Sequence, residues 1–351
     1  MERVLQRDGL TAALDSLERR AARDTSLAPA GHQMAHALGH DAVALGGGEA
    51  EVIRECRAVF ASGCYHGVVE AALRAAGRID VPQLERLCFG LTDSTGPAPG
   101  FECLHGLGHG ILGARGGDLP ATLHDCDALS TRRRAVYCHL GAFMEAVNGA
   151  FGEPQHGHGA DAMPDMAGMQ HSAALAIDPA DPYSPCRAFG DPYASSCWLF
   201  QGYVILRATG FDAARALAVC NDAPGGHAAR CYYGVGHQLT GLFQRGDAWV
   251  VEQCGRGRAD LAPSCAAGAT FALNAMDWTG RRAAHFCGAV PEGWKADCWG
   301  AAADGLVDLA APDRRAAFCA EAQRAWAGTC RKAAELSDSS VAAATAPARG
   351  S

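Results

Sequence analysis

The 351-residue chain carries a formal net charge of −8 and no basic block beyond Arg132-Arg133-Arg134, so it offers a phosphate backbone little to bind and nucleic acid is excluded as a partner. Hydrophobic residues make up 49% but aromatics only 7%, a balance rich in Ala and Gly that favours closely packed helices over a sheet sandwich. No run approaches the roughly 18 apolar residues of a membrane span.

The first segment, "MERVLQRDGLTAALDSLERRAARDTSLAPAG", reads as a charged amphipathic helix. It has no apolar stretch of the kind that marks a signal peptide. From there to about residue 336 the cysteines set the organisation. Sixteen of them fall into eight sequential pairs, 56/64, 88/103, 126/138, 186/197, 220/231, 254/265, 287/298 and 319/330, and the last five are all C-x10-C. The second members are spaced by 39, 35, 59, 34, 34, 33 and 32 residues. A period near 33 with a helical pattern marks repeated αα-hairpins, stacked as a curved solenoid or a closed toroid in a single all-α domain. Each unit opens with a longer helix at the second Cys, as in "CYYGVGHQLTGLF", and closes with a shorter one that ends on the next first Cys, as in "GDAWVVEQC".

Each Cys pair therefore ties the end of a short helix to the start of the next long one. The rival use of these cysteines is as thiolate ligands, but structural zinc knuckles take a C-x2-4-C spacing and none occurs here. Paired cysteines imply an oxidising, extracytoplasmic compartment.

With each second Cys as position zero, the +3 column holds Gly67, Gly106, Gly141, Phe200, Gly234, Gly268 and Ala301. Small residues there let neighbouring helices approach closely. The +2 column holds His66, His105, Leu140, Leu199, Tyr233, Ala267 and Gly300, and +6 holds Glu70, His109, Met144, Tyr203, His237, Phe271 and Asp304. Positions +2 and +6 share a helix face. Later repeats fill it mostly with apolar or aromatic groups, whereas the early ones fill it with imidazole and carboxylate.

Counting 34 residues back from Cys64 lands on Ala30, whose +2 and +6 residues are His32 and His36 in "GHQMAHALGHDA". Three consecutive helices would thus present His-x3-His, His-x3-Glu and His-x3-His to one inner column. Any one of these histidines taken alone reads better as a cap or core polar group. Six matched positions point to a metal site. The candidate ligands are His32, His36, His66, Glu70, His105 and His109, with His139 beside Cys138 and His237 in the +6 column as outlying candidates. Glu70 is either a ligand or a general base, and Glu145, one residue past its column, is a further base or a partner of a ligand. His40 has drifted round its helix.

The period stretches between Cys138 and Cys186, and residues 150–185 form an insertion containing "FGEPQHGHGADAMPDMAGMQH". It reads either as a lid that completes or covers the metal site with His156, His158 and His171, or as a solvent-facing loop whose His-x-His is incidental, and the spacing of Met163, Met166 and Met169 by three slightly favours a soft metal such as copper. The stretch 337–351, "SDSSVAAATAPARGS", is small and polar and is expected to be a disordered tail.

Two resemblances follow from these motifs. The helix pairs with one disulfide each, and "CRAVFASGC" in particular, resemble the secreted Sel-one-like repeat proteins, which implies binding and interaction rather than catalysis. "GHQMAHALGH", "CYHGVVEAAL" and "CLHGLGHGIL" are similar to uncharacterised bacterial cysteine-rich proteins with Cys-His-x3-His and Cys-x-His-Gly motifs. This chain carries Gly31 where those tend to carry Cys. The functional expectation is a metalloenzyme acting on a small molecule or peptide, by zinc-type hydrolysis or by copper or iron oxidation. A non-catalytic metal- or peptide-binding scaffold is the alternative.

Overall fold

A computed structural model describes residues 1–24, 27, 30–57, 59–60, 62–89, 99–151, 177–178, 180–307 and 309–336. Seventeen α-helices and no strand occur among these residues. They form two compact units, one within residues 1–177 and one within 178–351.

In the first unit α1 (Glu2–Arg23) is followed by the long helices α2 (Gly31–Ala44), α4 (Gly63–Ala76), α6 (Pro99–Ala114) and α8 (Arg132–Ala150). They alternate with the short α3 (Glu49–Glu55), α5 (Val81–Phe89) and α7 (Leu119–Cys126). The second unit repeats the scheme. Its long helices are α9 (Ala194–Ala208), α11 (Ala228–Phe243), α13 (Ala262–Met276), α15 (Lys295–Leu306) and α17 (Ala327–Ala333). Its short ones are α10 (Ala213–Asn221), α12 (Asp247–Cys254), α14 (Arg281–Ala289) and α16 (Pro312–Glu321). Within each unit the long helices lie side by side in chain order, and each short helix packs on the long one that follows it. This is the expected repeat of αα-hairpins. No helix among the described residues is long and apolar enough to cross a membrane.

All eight predicted disulfides are present, with Cα separations of 5.4 to 5.6 Å. No cysteine is left free, so thiolate ligation and cysteine nucleophiles are both ruled out. Each bond closes a loop of 8 to 15 residues between a short helix, or in one case a 3-10 turn at Cys186–Ala188, and the next long helix. Such a crosslink contributes about 3 kcal/mol in the chain-entropy model. It also fixes the phase of each long helix after α2, and so the direction in which the +2 and +6 side chains point. Eight such bonds belong in an oxidising compartment.

Three helix starts use side-chain caps: Asp118, Thr131 and Asp212 accept the N–H groups of Ala121, Arg134 and Arg215. The +3 glycines are where the long helices touch. A methyl group on Gly67 would collide with the carbonyl of His36, on Gly141 with that of His105, on Gly234 with that of Trp198 and on Gly268 with that of Tyr233. Glycines at +5 do the same work from the other side, Gly108 against the Cys138 carbonyl and Gly236 against that of Cys265. The first repeat has no staple, and Gly31 shows what replaces it: the ring of Phe60 occupies the space a side chain would need.

Candidate metal centre

Close backbone approach between α2, α4, α6 and α8 brings their polar columns into one place. His66 (α4), His105 and His109 (α6) form the only group of three or more His, Cys, Asp or Glu donors within 4.8 Å of one another among the described residues. Their rings cluster, His66 stacked on His109 with centroids 4.9 Å apart, and His105 tilted against both at 5.4 Å from His66 and 4.8 Å from His109. His105 Nε2 and His109 Nε2 are 3.0 Å apart. His66 and His109 are buried and His105 is partly so. Gly106 keeps the triad tight, because a methyl group there would meet the His66 ring itself.

Three converging imidazoles are a costly way to fill a core, since their polar atoms forgo water and protonation makes them repel. Their spacing suits a cation. Zinc–nitrogen bonds of about 2.0–2.1 Å place tetrahedral ligands about 3.3 Å apart; the His105 and His109 Nε2 atoms stand 3.0 Å apart and all three donors lie within 4.8 Å of one another. The donor set fits a transition ion that takes imidazole nitrogen.

A carboxylate backs the triad. Glu145 Oε2 (α8) lies 2.8 Å from His109 Nδ1. When ionised it accepts the Nδ1–H proton, which leaves the lone pair of His109 on Nε2, the atom facing His105. Burial, with the charge of Glu70 added, pushes the Glu145 carboxyl up to about 7. Glu145 was expected one residue off its column. It is nevertheless the α8 residue that reaches the site.

Glu70 behaves differently. Its Oε2 is 3.0 Å from His36 Nε2, and its Oε1 is 2.6 Å from an Arg74 guanidinium nitrogen. Burial alone would raise this carboxyl, but the hydrogen bond and charge of His36, and then Arg74, outweigh it and hold it at about 2. Arg74 was not anticipated. The signal was available, since His66, Glu70 and Arg74 follow one another at i, i+4 and i+8 on α4.

The remaining candidates separate. His32 donates its Nδ1–H to the carbonyl of Phe60 at 2.8 Å, and its ring stands edge-on to His66 with centroids 5.1 Å apart. It borders the triad without belonging to it. His40 Nδ1 is 3.4 Å from Asp41. His139 is buried, but its Nε2 is 3.0 Å from Asp127, a residue just past α7. Burial lowers its pKa while Asp127 opposes the shift. The contact ties α8 to the end of α7, and His139 is not one of the three converging donors. His237 lies on α11 in the second unit, with its ring against Phe200 and Phe271. The insertion histidines and methionines at 156–171 lie outside the described residues.

No family model matches the chain, and neither does any curated protein or solved structure. The reading of the site therefore rests on its own geometry.

Proposed function

We propose that the first unit is a metal-dependent enzyme of the zinc type, with His66, His105 and His109 as ligands and at least one further coordination position for substrate or water. The observation that carries this reading is the buried three-imidazole cluster with a carboxylate behind one member, the arrangement of ligands and orienting partner that zinc centres use. A bound divalent ion would supply Lewis-acid polarisation to a hydrolytic reaction.

The chain's own residues have distinct parts. Glu145 fixes the tautomer and orientation of His109. Its carboxyl near 7 also suits it to give up or take a proton at neutral pH. Glu70, held near 2, is too weak a base for that work, and it supplies fixed negative charge between His36 and Arg74. The three staples of the first unit and its helix-to-helix glycines keep the donors in place before any ion arrives. Paired cysteines support a periplasmic or secreted location for the protein.

The open position is testable by cobalt substitution. The visible spectrum of the Co(II)-loaded protein is expected to shift on adding azide or cyanide, because an anion can enter the position left by three protein ligands. A spectrum indifferent to both anions would show a saturated site and favour the non-catalytic scaffold.

A further inference from the structure

In the second unit the +2 and +6 positions, which carry the triad in the first, hold a different chemistry. Across α11, α13 and α15 they read Tyr233, Ala267 and Gly300 at +2, and His237, Phe271 and Asp304 at +6. We propose that this face binds an organic cation, a primary alkylammonium group held by the Tyr233 and Phe271 rings and hydrogen-bonded to His237. Such a site needs no metal in the first unit.

His237 is the residue that calls for a ligand. Its ring meets Phe271 at a centroid distance of 5.5 Å and Phe200 at 6.3 Å, both edge-to-face. Its Nδ1 is buried and has no hydrogen-bond partner. An unpaired buried polar atom costs stability, and a phenylalanine would fill the same space without that cost. The residue as a whole is only half-buried, and of its two nitrogens only Nδ1 is sealed off. An N–H edge is favoured against the electron-rich face of a benzene ring, whereas a lone pair is not. With its proton on Nδ1, the imidazole keeps the Nε2 lone pair on the open side, where it accepts from a donor. Burial pushes His237 down to about 4, so near neutral pH the ring is uncharged and does not repel a cation.

The surroundings select positive charge. The half-buried Tyr233 and Phe271 rings have centroids 6.5 Å apart and are tilted by 58°. A cation within about 6 Å of a ring centroid is attracted to it, and one ammonium group satisfies that distance to both rings. Burial raises the Tyr233 phenol, and the charge of Asp304 raises it further. The negative field of that carboxylate therefore reaches the ring whatever else Asp304 touches. Small residues leave room beside the rings: Ala267 and Gly300 stand at +2 on the next two helices, and a methyl group on Gly300 would meet only the Thr329 methyl, at 3.7 Å. A metal ion would find one imidazole and one carboxylate here, short of the three or four protein ligands such ions take. An anion would meet Asp304 and the negative ring faces.

Saturation-transfer NMR titrations of the full chain near neutral pH test the site with three probes. They are n-butylammonium, its neutral counterpart 1-butanol, and tetramethylammonium, which has the charge but no N–H donor. The wild type is expected to bind butylammonium saturably, about tenfold or more tighter than butanol, and tighter than tetramethylammonium. Asp304→Asn, at an exposed position, should weaken both cations by about two- to fivefold and leave butanol unchanged. His237→Phe, with its fold checked by thermal melting, should abolish the preference for butylammonium over tetramethylammonium, a change that a purely structural imidazole would not produce. No saturable binding of butylammonium, equal affinity for butanol, or an unchanged preference in folded His237→Phe overturns the proposal.

Discussion

Replacing Glu145 with Ala removes the acceptor that holds His109 in its ligand-ready tautomer. The contact is 2.8 Å long, and the two side chains are only 5% and 13% exposed, so water cannot readily take over the role. A hydrogen bond to a charged group contributes about 1.5–3 kcal/mol. Every 1.4 kcal/mol is about tenfold in affinity, so Glu145→Ala should weaken zinc binding by roughly ten- to a hundredfold. Glu145→Gln keeps an oxygen acceptor for Nδ1–H and should fall between wild type and Ala. Competition against a chromogenic chelator at about pH 8, above the carboxyl's own value of about 7, measures all three proteins with the wild-type group ionised. An Ala variant that binds zinc as tightly as wild type would refute the orienting role and the use of His109 Nε2 as a donor.

Two further substitutions probe the scaffold. Burial pushes His237 down to about 4, whereas an unfolded histidine titrates near 6.5. Between those values the unfolded chain binds a proton that the folded one refuses, so stability is full above about 6.5 and falls as pH drops to about 4, by about 3 kcal/mol in all. His237→Phe, matched to the neighbouring Phe200 and Phe271, should remove that acid sensitivity. All six tryptophans lie between residues 198 and 326, so denaturant titrations followed by tryptophan fluorescence at neutral and acid pH report on the second unit. An unchanged pH dependence would contradict the buried neutral imidazole. Gly141→Ala drives a methyl group into the His105 carbonyl and should cost at least about 1–3 kcal/mol while weakening zinc binding, because α6 carries two ligands. Gly113→Ala, with open space around it, should spare zinc binding and stabilise α6 by up to about 1 kcal/mol; thermal melts and zinc titrations of both variants distinguish the two cases.

The scaffold was largely legible in the cysteine spacing, because a disulfide needs its two residues at one place in every repeat. The +3 glycines were legible for a similar reason, since only a missing side chain lets two backbones meet. The partition of the site was not. A shared i, i+4 face says that Glu70 and His109 both point inward, but not that Glu70 turns to His36 and Arg74 while His109 turns to His105 and Glu145. That choice is made by which hydrogen-bonding partners the neighbouring helices bring within reach, and this leaves no mark in one chain's spacing. A histidine beside a staple looks the same in sequence whether it faces an ion or, as His139 does, Asp127, twelve residues earlier in the chain. His237 stands in the same column as the donors, and its ring neighbours are Phe200 and Phe271, which spacing alone does not reveal.

The central claim is that His66, His105 and His109 share a metal ion. Elemental analysis of protein purified without chelators, wild type beside His66→Ala/His109→Ala with all eight disulfides verified by mass, tests it most directly. The account predicts that the wild type retains transition metal through gel filtration and that the variant carries at least one equivalent less. Equal metal content in the two proteins would contradict it.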